Sequence, residues 1–338
     1  MLFLHSSRNQ SNGAYAAPNF SPTEPVVATQ VLRKMHGGSQ AYLLAANDGK
    51  AYVTKLTGNP QHIRSVISEA FCHALVSNLD VRVPAAASVL ITSEFLGRHP
   101  EFGVEGLCGR QCAEPGLHFG SQYPGDTELD AVYDDLPSSL FGQVENRGDF
   151  AGILVFDVWT MQSDRRQAVF VRERVRSGRR PARKRSFIAY MVDHGMAFGG
   201  VKWDFVVGPT KQALQSPAAY ETIRGPEDLE PWLAAVEKFP EAAIWDAVSR
   251  IPSGWIRETP GELEAVAEGL TKRRRVVRDE VFRLVRGAAE HFPGWDTARA
   301  IMSSNLSFRE PTLPATKAGS PSGGHAGLPP ADDCATVC

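Results

Sequence analysis

The sequence has no apolar run long enough for a membrane-crossing helix, which argues against a membrane-spanning protein. Its opening, MLFLHSSRNQSNG, has too short an apolar run for the core of a signal peptide, and no small-residue cleavage site follows. A cytoplasmic location is therefore expected. Cysteine is scarce: five in 338 residues, an odd number that does not suit a disulfide framework. Cys108 and Cys112 are spaced C-x3-C, and Cys334 and Cys338 repeat that spacing. The closer spacing and histidine support usual in a zinc site are missing, so reduced thiols are expected. Excess charge of one sign is absent too. The 36 basic and 38 acidic residues leave a net charge of −2, which gives no general field for nucleic acid or anionic lipid. There is no internal repeat. The terminal Cys-Ala-Thr-Val-Cys is not a prenylation box, because its first cysteine stands five places from the end. What remains is an ordinary globular composition, in a chain long enough for one large domain or two lobes.

Residues 1–24 are rich in Ser, Asn, Ala and Pro without periodicity, and read as a loose arm. From 25 to 100 the texture is α+β. AYLLAA and KAYVTKL read as strands joined at Asn47-Asp48-Gly49, a hairpin signal because Gly tolerates the positive φ of a tight turn. In IRSVISEAFCHALVSNL, Val66, Ile67, Ala70, Phe71, Ala74 and Leu75 recur at three and four, predicting a helix with one buried face. VPAAASVLIT reads as another strand. The stretch 101–149, rich in Gly and acidic residues, reads as a connecting lobe or extended loop without chemistry. DFAGILVFDVWTMQ predicts a helix, and AVFVRERV and SFIAYMVDHG predict strands with a basic loop between them. The chain to 295 is then mainly helical, including one long run, GELEAVAEGLTKRRRVVRDEVFRLVRGAAEHF. From 296 to 338 a Pro- and Gly-rich tail is expected to be disordered.

The candidate site residues gain meaning together. Lys55 alone reads as an exposed strand lysine, and Glu69 alone as an exposed helix glutamate. Upstream, Gly37-Gly38-Ser39 precedes the first hairpin strand, and glycines let backbone N–H groups approach phosphate oxygens. Glycine turn, strand lysine, helical glutamate is the order that holds ATP phosphates in kinases. Downstream, FDVWTMQSDRRQAVF places Asp-Arg-Arg-Gln inside an apolar stretch, where unpartnered charge costs several kcal/mol. Asp164 stands where the helix turns into a strand, and Asp193 follows FIAYMV, with a glycine two places on. Singly both read as turn-forming aspartates. On neighbouring element ends, one carboxylate can orient an acceptor hydroxyl while the other binds Mg²⁺. In this reading Asp164, Arg165 and Gln167 line a cleft, and the apolar neighbours anchor them.

The segments HGGSQAYLL, AYVTKLTGNPQ, ISEAFCHALVSNLDVRVP, FDVWTMQSDRRQAVF, YMVDHGMAFGG and IPSGWIRETPGELEAVAEGLTKRR together resemble HipA-like kinases, a branch of the protein-kinase-like fold that includes the phosphoinositide kinases. The resemblance spans roughly residues 31–292. It implies a bilobal fold: a small N-terminal antiparallel sheet with one helix, then a larger, mainly helical C-terminal lobe. It also implies ATP and Mg²⁺ as ligands, with Lys55 on the phosphates, Glu69 fixing Lys55, Gly37, Gly38 and Ser39 covering the phosphates, Asp164 catalytic and Asp193 on the metal. The family's catalytic loop often reads Asp-x-His-x-x-Asn; here Arg166 replaces the histidine and Val169 the asparagine. Valine has no donor atom for a metal. Gln167, with its amide oxygen, is the candidate substitute as catalytic-loop residue and metal ligand.

A phosphotransferase acting on a protein Ser/Thr or a small molecule is thus the leading expectation. The alternative is a pseudokinase that binds nucleotide as an interaction module. A third reading, a nucleic-acid-associated regulator, rests on RERVRSGRRPARKRS at 172–186. That segment lacks the interleaved aromatics of a nucleic-acid surface and reads better as a solvated loop. Lys272-Arg273-Arg274-Arg275 reads as a solvated helix face, Trp203, Trp232, Trp245, Trp255 and Trp295 as core, and His118 as an ordinary loop residue.

Overall fold

The computed structural model describes residues 24–106, 109–125, 131–172, 186–257 and 260–296. The expected arm (save Glu24), the expected tail (save Asp296) and the arginine-rich segment between Arg172 and Ser186 lie outside them.

Strands β1 (Val26–Lys34), β2 (Tyr42–Ala46) and β3 (Ala51–Lys55) form the expected antiparallel start, with Leu44 opposite Tyr52. The turn is where Asp48-Gly49 placed it. Gly49 has φ +78°, and the Tyr52 hydroxyl donates to Asp48 at 2.7 Å, pinning the turn from the strand. Helix α1 (Ile63–Val76) follows, capped by the His62 imidazole, which accepts from Arg64 N at 3.2 Å. Every residue from Ser65 to Val76 is buried, so the helix has no solvated face. It is wedged between the two lobes, and most of its apolar side chains join the large core of the C-terminal lobe.

Strand β4 (Ala86–Ile91) runs parallel to β1, with Val26 opposite Val89. Strand β7 (Gly116–Gln122) then pairs antiparallel with both β3 and β4. The result is a closed barrel in the order β1-β2-β3-β7-β4, not the expected simple antiparallel sheet. Closure gives every barrel strand a neighbour on both sides, though β1 meets β4 only at Val26 and Val27. The closing strand comes from residues 116–122, beyond the boundary drawn at 100 and inside the stretch read as a connector. Helix α2 (Ser93–Arg98), capped by Thr92 Oγ1 accepting from Phe95 N at 3.0 Å, gives this lobe a second helix. With the hairpin β5 (Gly103–Gly106) and β6 (Gly109–Cys112), it adds Phe95, Phe102 and Val104 to a separate barrel core around Tyr42, Leu44 and Tyr52. Cys112 is disulfide-bonded, against the expectation of reduced thiols, whereas Cys72 on α1 is free and buried.

The second lobe carries the sheet β10-β9-β8 (β8 Ala131–Tyr133, β9 Gln167–Arg172, β10 Ile188–Val192). Helix α3 (Asp149–Thr160) packs among α4 (Glu230–Glu237), α5 (Glu241–Ser249), α6 (Glu262–Arg273) and α7 (Val277–Gly287). The long helix read from 261 to 292 breaks between α6 and α7. At the break Arg273 turns inward: its guanidinium donates to the Val158 and Trp159 carbonyls at 2.8 Å, capping the C-terminal end of α3, and pairs with Glu280. Arg273 is therefore no solvated face residue. Trp203 and Trp255 are core as expected, but Trp245 is 36% exposed.

Candidate functional site

The charge at the centre of FDVWTMQSDRRQAVF has a structural answer first. Helix α3 ends because Met161 takes the left-handed conformation (φ 54°), from which its N–H still reaches the Asp157 and Val158 carbonyls. The chain then crosses to β9 with Arg166 pointing inward, only 2% exposed. Its guanidinium forks onto the Asp157 carboxylate of α3, with Nε at 3.0 Å and Nη2 at 2.5 Å. Its remaining nitrogen, Nη1, donates to the Val192 and Asp193 carbonyls at 2.6 and 3.0 Å. Arg166 thus ties the end of α3 to the end of β10. Burial opposes the charge on this guanidinium, and Asp157 outweighs that, holding it protonated.

Asp193 itself is in the left-handed region (φ 64°), a conformation aspartate tolerates better than most residues. That twist puts its carboxylate on the cleft side. Lys55, at the end of β3, places Nζ against Glu69 of α1 and 2.8 Å from Asp193 Oδ1. The other Glu69 oxygen, Oε2, accepts from His194 N at 3.0 Å, and the other Asp193 oxygen, Oδ2, accepts from Gln167 Nε2 at 2.6 Å. One ammonium therefore bridges three elements. Burial alone would lower the Lys55 ammonium, but Asp193 and Glu69 overcome it and hold the lysine charged. Lys55 in turn keeps the Asp193 carboxyl well below the usual carboxylate range. Burial pushes Glu69 the other way, upward, against the pull of the same lysine.

The glycine turn connects β1 to β2. Gly37 has φ +122°, which excludes a side chain without strain, and its carbonyl accepts from Gln40 N at 3.1 Å. Gln40 fastens the turn to β5, donating to the Glu105 carbonyl and accepting from Glu105 N, both at 2.8 Å. Gly37, Gly38, Ser39, Lys55, Glu69, Asp164, Gln167 and Asp193 all line one cavity of about 430 Å³ between the lobes. Direct contacts join Lys55, Glu69, Asp193 and Gln167; the glycine turn and Asp164 face the same cavity from other sides. The isolated readings of Lys55 and Glu69 as exposed residues are corrected: their side chains are 13% and 4% exposed. Asp164 is exposed and accepts at 2.7 Å from the N–H of Arg165. Arg165, expected on the cleft, lines a different depression.

Several residues of the site carry no signal of their role in the sequence. The Asp157–Arg166 pair was legible only as a second charge in the apolar run, nine positions before the arginine. Ala41, Val53, Phe119, Val169 and Met191 give the cavity an apolar wall. His73 also lines it; its Nε2 bonds the Pro84 carbonyl at 2.7 Å. His118 is buried on β7, not in a loop, and takes a hydrogen bond from Thr57 N at 3.0 Å. Among the described residues no three His, Cys, Asp or Glu side chains cluster as a metal cage. A metal carried on phosphates needs only one or two carboxylates from the protein, and Asp193 with Gln167 beside it offers that kind of donor set.

A family profile described as HipA-like kinase matches residues 28–200, more than half of the chain, and that span holds every residue of this constellation. The chain belongs to the HipA-like kinase family. No curated protein sequence matches it significantly. Among solved structures, this HipA-like kinase is similar to the Helicobacter pylori proinflammatory kinase CtkA at 13% identity and a TM-score of 0.49, over 78% of this chain and 98% of that one. It is also similar to the Golgi casein kinase at 15% identity and a TM-score of 0.43, over 80% and 76% of the two chains. For hydra Fam20 the values are 11% and 0.43, over 81% and 87%. None of these three likenesses carries a ligand or an acceptor over to this chain.

Proposed function

We propose that this HipA-like kinase transfers the γ-phosphate of ATP, with Mg²⁺, to a hydroxyl, and that the hydroxyl belongs to a protein Ser or Thr. The observation that carries the reading is the single ammonium of Lys55, held between Glu69 and Asp193 on the wall of a cavity whose rim is a glycine turn. The wall of Ala41, Val53 and Met191 suits a flat base, and the backbone around Gly37 and Gly38 suits phosphate oxygens. Lys55 neutralises the α- and β-phosphates, and Glu69 keeps it aimed. Asp164, exposed on the same cavity, orients the acceptor hydroxyl and takes its proton as the new P–O bond forms and the bond from the γ-phosphorus to the bridging oxygen of ADP breaks. Asp193 and Gln167 would hold Mg²⁺, which when bound neutralises phosphate charge. Arg166 fixes the backbone of Asp193 and has no contact with substrate in this scheme.

Two measurements on the intact protein test this. Mg²⁺-ATP is expected to raise the melting temperature, and Lys55→Met to abolish most of that shift. Radiolabelled γ-phosphate is expected on serine or threonine of the protein or an acceptor, and to fall about 10²-fold or more in Asp164→Asn. Val169, on the cavity wall at the family's asparagine position, favours one rival reading. A nucleotide-dependent shift with no transfer by the unaltered protein would establish the pseudokinase instead.

A further inference from the structure

The loop that carries Asp164 faces two ways. While Asp164 lines the nucleotide-sized cavity, Arg165 lines a second depression of about 330 Å³ with Lys211, Ser216, Glu290 and His291. A third depression, about 390 Å³, continues from it, sharing Lys211 and Gln212 and reaching Arg283 on α7. The segment running past both is stitched to the loop. Arg166 N donates to the Ala213 carbonyl at 3.0 Å, and Gln215 Nε2 donates to the Arg166 carbonyl at 2.6 Å. The position of this groove relative to Asp164 is therefore fixed by the backbone on both sides of Arg166.

Among the described residues its unpaired charge is positive. The Arg165 and Arg283 side chains are exposed, and neither guanidinium has an ion-pair or hydrogen-bond partner among the described residues. Among the described residues Lys211 pairs only with Glu290, at 3.4 Å and with both side chains more than half exposed, a contact that an incoming anion can replace. Glu280, the other acid on the groove, is already committed to Arg273. Two buried polar atoms, Ser216 Oγ and His291 Nδ1, have no partner among the described residues.

We propose that these two depressions form the acceptor groove of the enzyme, and that it takes an extended peptide with acidic side chains flanking the serine or threonine. The proposal rests on the phosphotransfer reading of the adjoining cavity. Two depressions in series suit an extended chain, which advances about 3.3 Å per residue, better than one compact molecule. Arg165 is adjacent to Asp164 in sequence, so a carboxylate on Arg165 belongs one or a few residues from the reacting hydroxyl. No Phe, Tyr or Trp lines either depression, which disfavours single-stranded nucleic acid as the polyanion.

Binding is measured without ATP, by fluorescence anisotropy, using three labelled peptides: one serine flanked on each side by glutamates, by alanines or by lysines. The glutamate peptide is expected to bind about tenfold more tightly than the alanine peptide at low salt, the sum of a few modest ion pairs, and to lose that advantage as salt rises. Arg165→Glu combined with Lys211→Glu and Arg283→Glu is expected to reverse the preference towards the lysine peptide. That variant is expected to keep the Mg²⁺-ATP shift in melting temperature. Should it fail to fold, Arg165→Gln alone is expected to weaken the glutamate peptide about threefold. Equal binding of glutamate and alanine peptides overturns the proposal, as does a preference that survives the reversals. So does a thymidine oligonucleotide that binds as well as the glutamate peptide through the same three cations. Loss of the nucleotide response with intact peptide selectivity counts against the phosphotransfer reading and leaves the groove standing.

Discussion

Arg166 and Asp157 show how a charge inside an apolar run earns its place. A buried guanidinium with a single partner is a poor source of stability, because desolvation cancels most of the attraction. Here the arginine also binds the Val192 and Asp193 carbonyls, so its loss strips a buried carboxylate of its partner and takes a donor from two carbonyls at once, leaving Asp193 O with Gln162 Nε2. Asp157→Ala is expected to destabilise the fold by about 3–5 kcal/mol, read from urea melts. Arg166→Met is expected to cost less than Asp157→Ala if Asp157 then protonates, and a smaller melt shift at acid pH would show it. At this scale the sequence was half legible. The order glycine turn, Lys55, Glu69, Asp164, Asp193 was visible because each stands beside a recognisable turn or apolar run. Arg166 was seen only as a departure from the family's histidine, since nothing local says whether a side chain turns in or out.

Among the elements, α3 was the clearest in sequence and α6–α7 the most misleading. The apolar run of α3 fixes its existence, and it also contains Gly152, a residue that weakens helices. The reason is a close approach: a Cβ at Gly152 would stand 2.5 Å from Trp232 Nε1 and 2.6 Å from Val81 Cγ2. Gly152→Val is expected to lower stability by about 1–3 kcal/mol through overpacking, despite its better helix propensity, and a thermal melt checks it. For α6–α7 the periodicity carried straight through 274–276, because the break is dictated by Arg273 and by Arg274, whose guanidinium is bound to the Phe239 carbonyl. Those partners lie far away in the chain. The barrel was missed for the same reason: alternation marks a strand, but not which strands close on one another, and β7 sits in a stretch too rich in glycine to announce itself.

Across the whole molecule, acid is expected to be destabilising earlier than carboxylates alone would make it. Burial pulls His73 and His118 down to about 4 from 6.5. The folded form therefore holds both rings neutral while the unfolded chain binds protons below pH 6.5. Stability is complete above that pH and is lost progressively as pH falls from 6.5 towards 4, by at most about 3 kcal/mol for each ring. Burial holds His194 low as well, which adds in the same direction. His118→Asn is expected to flatten the fall in melting temperature between pH 6.5 and 4; an unchanged slope would remove His118 from this account.

Helix α1 follows the barrel's third strand in the chain, and its apolar side chains share one core with Phe119 of the barrel and with the helices of the other lobe. Lys55 and Asp193, by contrast, stand on opposite lobes. Drawing the barrel away from β10 has to pull the lysine off Asp193. The ion pair is thus a gauge of closure: wherever Lys55 touches both acids, the two halves of the molecule have already come together.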